Sequence, residues 1–258
     1  MRLMKRILSA AAALALSASL LVGCSSGTAS SVPVSASSAA ESTVSSVEET
    51  ASSAVDENEA AAAQLLNDLT GSYQELWPVI LADEYKQTWL DDCTALVGED
   101  NAEAAFEKLS SMVTGDVYGE DAVKAYANGG GAYFCGFTNS LATLTFDGET
   151  STISGTDKDG NVLFSHTYHY IGMEPVHGLY EFESDDADSG EFTYFFLAPD
   201  TSAETYHIEF RYGSDADALS QYDAGDYAYW VASGISTDCD QTMIDNCIEL
   251  FCTENLAG

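Results

Sequence analysis

Apolar and polar positions alternate with a period of two from residue 205 to residue 212. Tyr206, Ile208, Phe210 and Tyr212 fall on one face and His207, Glu209 and Arg211 on the other, because successive side chains of a strand point to opposite sides. The preceding stretch, residues 191–198, is aromatic-rich and stops at the turn residues Pro199 and Asp200. The two segments read as strands joined by a loop. Residues 132–138, 141–146, 150–154, 162–171 and 178–183 carry the same signature, with Asp147-Gly148 and Asp159-Gly160 as turns between strands. Helical spacing governs the flanks. Residues 59–69 are strong helix formers. Residues 72–80 place Tyr73, Leu76, Trp77 and Ile80 at helical spacing around Pro78. Residues 101–112 form an amphipathic helix, 121–127 a helical turn and 214–221 a short helix. Residues 240–254 close the chain with Met243, Ile244, Cys247, Ile248 and Phe251 on one stripe. The expected class is α+β, mainly antiparallel β: a small barrel or rolled sheet with N-terminal helices and a C-terminal helix.

Composition divides the chain into three parts. Residues 1–23 read as a secretory leader, with Arg2, Lys5 and Arg6 before an Ala/Leu-rich apolar run. The run ends in Leu21-Val22-Gly23-Cys24, which resembles a bacterial lipobox and makes Cys24 the expected site of lipidation. Residues 24–57 are rich in Ser, Ala and Glu, too poor in large apolar side chains to offset their ordering entropy, and read as a disordered tether. Residues 58–258 suffice for one domain with its own core. The expected location is extracytoplasmic, lipid-anchored to the outer face of a bacterial membrane of Gram-positive type. The formal net charge is −34, which repels nucleic acid and raises the local concentration of cations.

Candidate chemistry gathers on the 205–212 strand. His207 and Glu209 point the same way about 6.6 Å apart, and imidazole nitrogen and carboxylate oxygen are both zinc ligands. The competing reading pairs Glu209 with Arg211 as an exposed ion pair and leaves His207 in water. His166 and His169 face opposite sides of one strand. His177, at a strand start, is a further candidate ligand should its strand neighbour His207. Beyond Cys24, Cys93, Cys135, Cys239, Cys247 and Cys252 remain, an odd set with no zinc-finger spacing. No Gly-x-Ser-x-Gly elbow, phosphate loop or His-Glu-x-x-His is present, so no enzymatic activity is expected.

YEFESDDADSGEFTYFFLAP followed by YHIEFRYGSD resembles the ZinT family of extracytoplasmic zinc-binding domains, which occur alone or fused to zinc transporter binding proteins of the AdcA type. LTGSYQELWPVILADEYK resembles the family's opening segment and ALSQYDAGDYAYWVASGI its Trp-containing segment, so the resemblance covers roughly residues 65–255. It implies a calycin- or lipocalin-like barrel that binds Zn2+ for capture or for delivery to a zinc ABC transporter binding protein. The family's ligand strand carries His-x-His, with a third His upstream after an Asp. Here His207 and Glu209 stand at the first two positions and Asp200 near the third. Two other classes stay open. One is a calycin-like lipoprotein that takes a small apolar ligand at the barrel mouth, with Tyr227, Tyr229 and Trp230 as aromatic contacts. The other is a secreted metal-dependent hydrolase.

Overall fold

A computed structural model describes residues 57–199 and 207–257. Eight antiparallel strands form a closed barrel, each hydrogen-bonded to the next in sequence and the last to the first. They are β1 (Gly71–Glu75), β2 (Thr143–Asp147), β3 (Thr152–Thr156), β4 (Val162–Met173), β5 (Tyr180–Ser184), β6 (Tyr194–Leu197), β7 (His207–Gly213) and β8 (Ala232–Ser236). The expected class is therefore what the chain adopts. Among the described residues seven α-helices accompany the barrel: α1 (residues 57–68), α2 (Leu76–Ile80), α3 (Lys86–Val97), α4 (Glu99–Val113), α5 (Glu120–Ala127), α6 (Ala216–Leu219) and α7 (Gln241–Leu256). The short helix α6 and the long helix α7 start on side-chain caps, Asp215 accepting from the Ala218 N–H and Asp240 from the Met243 N–H, both at 3.0 Å.

The barrel interior is filled by rings. Phe195 and Tyr212, directly opposite on β6 and β7, lie 5.4 Å apart, and Trp230 stands edge-on to Tyr212 at 4.9 Å. Phe137 and Leu141, from the chain before β2, join this core. The Tyr212 hydroxyl accepts from the Thr138 N–H at 2.6 Å and holds that segment down. A second apolar cluster lies outside the barrel wall. There α2, α3, α4 and α7 pack Trp77, Trp89, Leu109, Ile248 and Phe251 together, over the outward side of Ile235 on β8.

Helix α3 and strand β8 were not expected from the sequence, and three further stretches differ from its reading. Residues 72–80 are not one helix. Tyr73 belongs to β1 and packs edge-on to Phe146 at 5.7 Å, and only Leu76, Trp77 and Ile80 share the helical stripe. Residues 132–138 run extended along residues 229–233, with Phe134 N–H on the Tyr229 carbonyl and Ser233 N–H on the Cys135 carbonyl, yet form only isolated bridges outside the barrel. Residues 190–192 form a 3-10 turn that shortens β6.

Candidate functional site

Every residue of β7 is buried. Ile208, Phe210 and Tyr212 face the barrel core as the alternation predicts, but the opposite face is covered as well. His207 and Glu209 are 4 % and 5 % exposed, so neither is a wet surface residue and the pair is not part of an exposed ion pair. Alternation reports which side of a strand a residue takes; it cannot report whether helices later close over the polar side. Here α2 and α7 do so. Leu76, Trp77, Ile80, Cys247 and Phe251 meet His207 and Glu209 around a void of about 10 Å³. That is room for about one water or one monatomic ion.

The register places Glu209 opposite Ser233, and His207 opposite Ile235. The charge of the Glu209 carboxylate acts on two thiols. Burial, helped by the charge of Glu209, pushes Cys247 up to about 12 and Cys135 up as well. Cys247 is the contributor that sequence reasoning missed as site chemistry, although it stands on the apolar stripe expected for the closing helix. Among the described residues no three His, Cys, Asp or Glu side chains form a ready-made coordination sphere. The chemistry of the donors fits zinc, which takes N, O and S ligands; their present arrangement puts two on one strand and a third on the facing helix.

Arg211 continues the same face and has a different task. Its guanidinium, fully buried, donates to the carbonyls of Leu219, Gln221 and Tyr227 and lies 4.2 Å from the centre of the Tyr222 ring. It pins the segment after β7 to the barrel. The other side of this group is His177, whose ring centre is 3.7 Å from that of Tyr222. His177 is thus not brought to His207. Its N–H donates to Glu174 at 2.6 Å and its Nδ1 lies 3.2 Å from the same carboxylate. Burial opposes the charge of Glu174, which is fully enclosed, but hydrogen bonds from the His177 ring and from the N–H groups of His177 and Val176 prevail and hold its carboxyl below the usual range. His166 and His169 sit against Asp186 and Asp185, each at 2.7 Å. Asp200 and Cys24 lie outside the described residues.

The aromatic trio of the small-ligand reading does not form one surface. Trp230 is fully buried and donates to the Gly136 carbonyl. The Tyr227 hydroxyl donates to Glu191 and accepts from the Ser214 N–H. Tyr229 lines a cleft bounded by residues outside the barrel strands.

No family model matches the sequence, and no curated protein matches it. Solved structures that the chain is similar to include two from one protein. The Zn(II)-bound ZinT-like domain of Streptococcus pneumoniae AdcA is 15% identical, with 71% of this chain and 89% of that one covered and a TM-score of 0.45. Zn(II)-bound AdcA from Streptococcus pneumoniae is 14% identical at a TM-score of 0.42, over 75% of this chain and 35% of that one. The chain thus spans about a third of the length of that AdcA structure.

Proposed function

We propose that this chain is an extracytoplasmic lipoprotein whose barrel domain captures a divalent metal ion, zinc above all, and passes it to a zinc transporter binding protein. The observation that carries the metal reading is the void at the seam of β7 and α7, with room for one ion and with His207, Glu209 and Cys247 on its walls. Imidazole, carboxylate and thiolate together suit zinc, and the sulfur disfavours magnesium and calcium. All three ligate without their protons, so capture releases protons and strengthens as pH rises. The ZinT resemblance of the sequence supports both the choice of zinc and the transporter as recipient. The basic leader and its Cys24 support anchoring at the outer face, and the acidic chain concentrates cations near the site.

Calorimetric titration tests the site. Wild type should bind zinc, and His207→Ala, Glu209→Gln and Cys247→Ser should each weaken it at least about tenfold, or about 1.4 kcal/mol. Equal affinity in wild type and the two β7 variants would end the metal reading. Cys24→Ala tests the anchor separately, since it should release the protein from membranes or leave it unprocessed.

A further inference from the structure

His207 and Glu209 are buried, so an ion reaches the void beside them only when a wall moves. A second, larger hollow shares one of those walls. The end of β1, the end of α4 and the chain at residues 134–136 border a surface cleft of about 340 Å³. Helix α2 serves both hollows. Its Leu76, Trp77 and Ile80 line the void, while Trp77 and Pro78, with Leu81 just beyond, line the cleft. Trp77 is the residue common to the two linings.

This shared wall is built to give way. Helix α2 has five residues, too few to be stable on its own, and Pro78 brings it no N–H. One end of α2 continues directly from β1, and the other is tied by the Trp89 indole N–H on the Ile80 carbonyl at 2.7 Å. Behind α2 the wall is one residue thick. Cys135 lines the cleft, its carbonyl accepts from the Ser233 N–H at 3.0 Å, and Ser233 stands opposite Glu209 across β7 and β8. The Trp77 indole N–H and the Ser233 hydroxyl are buried and find no nitrogen or oxygen partner among the described residues; the Cys135 sulfur beside them is a weak one. Buried polar groups left so cost free energy, and water admitted at this seam would satisfy both. The apolar remainder of the wall, Ile80 and Phe251, gains nothing from opening.

Given the metal reading of the void, on which this rests, we propose that the cleft is the entrance by which the ion arrives and that Trp77, carried on α2, is the gate. The charged side chains of the cleft are Glu75 and Asp116, both acidic. The Phe137 N–H donates to one Glu75 oxygen at 2.6 Å and fixes that carboxylate in place. Asp116 is exposed. A hollow of one charge sign gathers counter-ions and speeds their arrival.

The test is kinetic, with zinc ion alone mixed in a stopped-flow cell with the whole purified chain and then withdrawn by excess chelator. Thr114→Trp fills the cleft from an exposed position that does not line the void. It should slow association and dissociation by one common factor, at least about tenfold, and leave Kd unchanged, because a gate sets rates and not equilibria. Should that variant fail to fold, Asp116→Asn at the exposed rim should slow association several-fold at low salt and not at high salt. A wild type that takes up no zinc would end the metal reading and the gate together. Uptake by wild type at rates indifferent to these substitutions would overturn the gate alone. A weaker Kd for Thr114→Trp at an unchanged association rate would also overturn it, since the cleft would then belong to the site rather than lead to it.

Discussion

The thiols of Cys93 on α3 and Cys252 on α7 touch at 3.9 Å, both fully buried, where these two helices pack together. A disulfide needs about 2.05 Å between sulfurs, within reach of modest side-chain rotation. Oxidation under conditions that transiently open the α3–α7 contact should join these two ahead of any other pair, as peptide mapping under non-reducing conditions would reveal. Burial pushes both thiols up, so alkylating reagent should label the half-buried Cys239 first and these two only on unfolding. Early labelling of Cys252 in the native protein would contradict the packing of α7.

Arg211→Lys should destabilise the domain by about 2–3 kcal/mol, because one ammonium cannot serve the carbonyls of Leu219, Gln221 and Tyr227 together and charged hydrogen bonds carry about that much. The denaturant midpoint reads the loss, and an unchanged midpoint would remove Arg211 from its structural role.

Glu174→Gln separates charge from shape at the Glu174–His177 pair. The carboxyl is held below its ordinary 4.5 in the folded chain, so the unfolded state takes up protons first as pH falls. Its contribution is fully present above about pH 4.5 and is lost as pH drops through the folded value. The variant should thus be less stable by about 1–3 kcal/mol at neutral pH, with the gap closing as the pH falls below the ordinary carboxyl range. Denaturant melts of both proteins across that range give the test; a constant gap would mean the charge contributes nothing.

Tyr212→Phe keeps the ring among Phe195, Phe210 and Trp230 but removes the hydroxyl that accepts from Thr138 N–H and donates to its carbonyl at 2.9 Å. The cost should be about 1–3 kcal/mol, with near-ultraviolet circular dichroism little altered because the aromatic stack persists.

The barrel was legible where strand signals were local. The alternation of residues 162–171 anticipates most of β4, and the Asp159-Gly160 turn stands where expected, with Gly160 at φ +82. β8 was not legible. Its sequence, Ala-Ser-Gly-Ile-Ser, has little strand propensity, and its place is dictated by β7 and β1 on either side. The Gly234 position is tight as well, since a Cβ there would meet Ile208 at 3.0 Å. Helix α3 was missed because Trp89 and Cys93 are its only buried residues, too sparse a stripe to show a period. At the site, the sequence placed His207 and Glu209 on one face. It could not show that α7 delivers Cys247 to them, which depends on packing between segments far apart in the chain. Cys247 and Cys252, which share no clean helical face, are both buried because α7 is wedged between the barrel wall and α3.

The pairing of Tyr73 with Ser236 makes the first strand wait for the last. A chain emerging from synthesis, or threading through a pore, has no complete ladder until residue 236 is out, and α7, which shields that wall, arrives later still. Closure across so long a loop is slow compared with helical assembly. Until it happens, β1 and β7 each present an open edge to any neighbouring chain. Nonsense or frameshift products ending before β8 should therefore not survive as partial barrels; they should be cleared by proteases or aggregate, and the full-length domain should appear in one cooperative step.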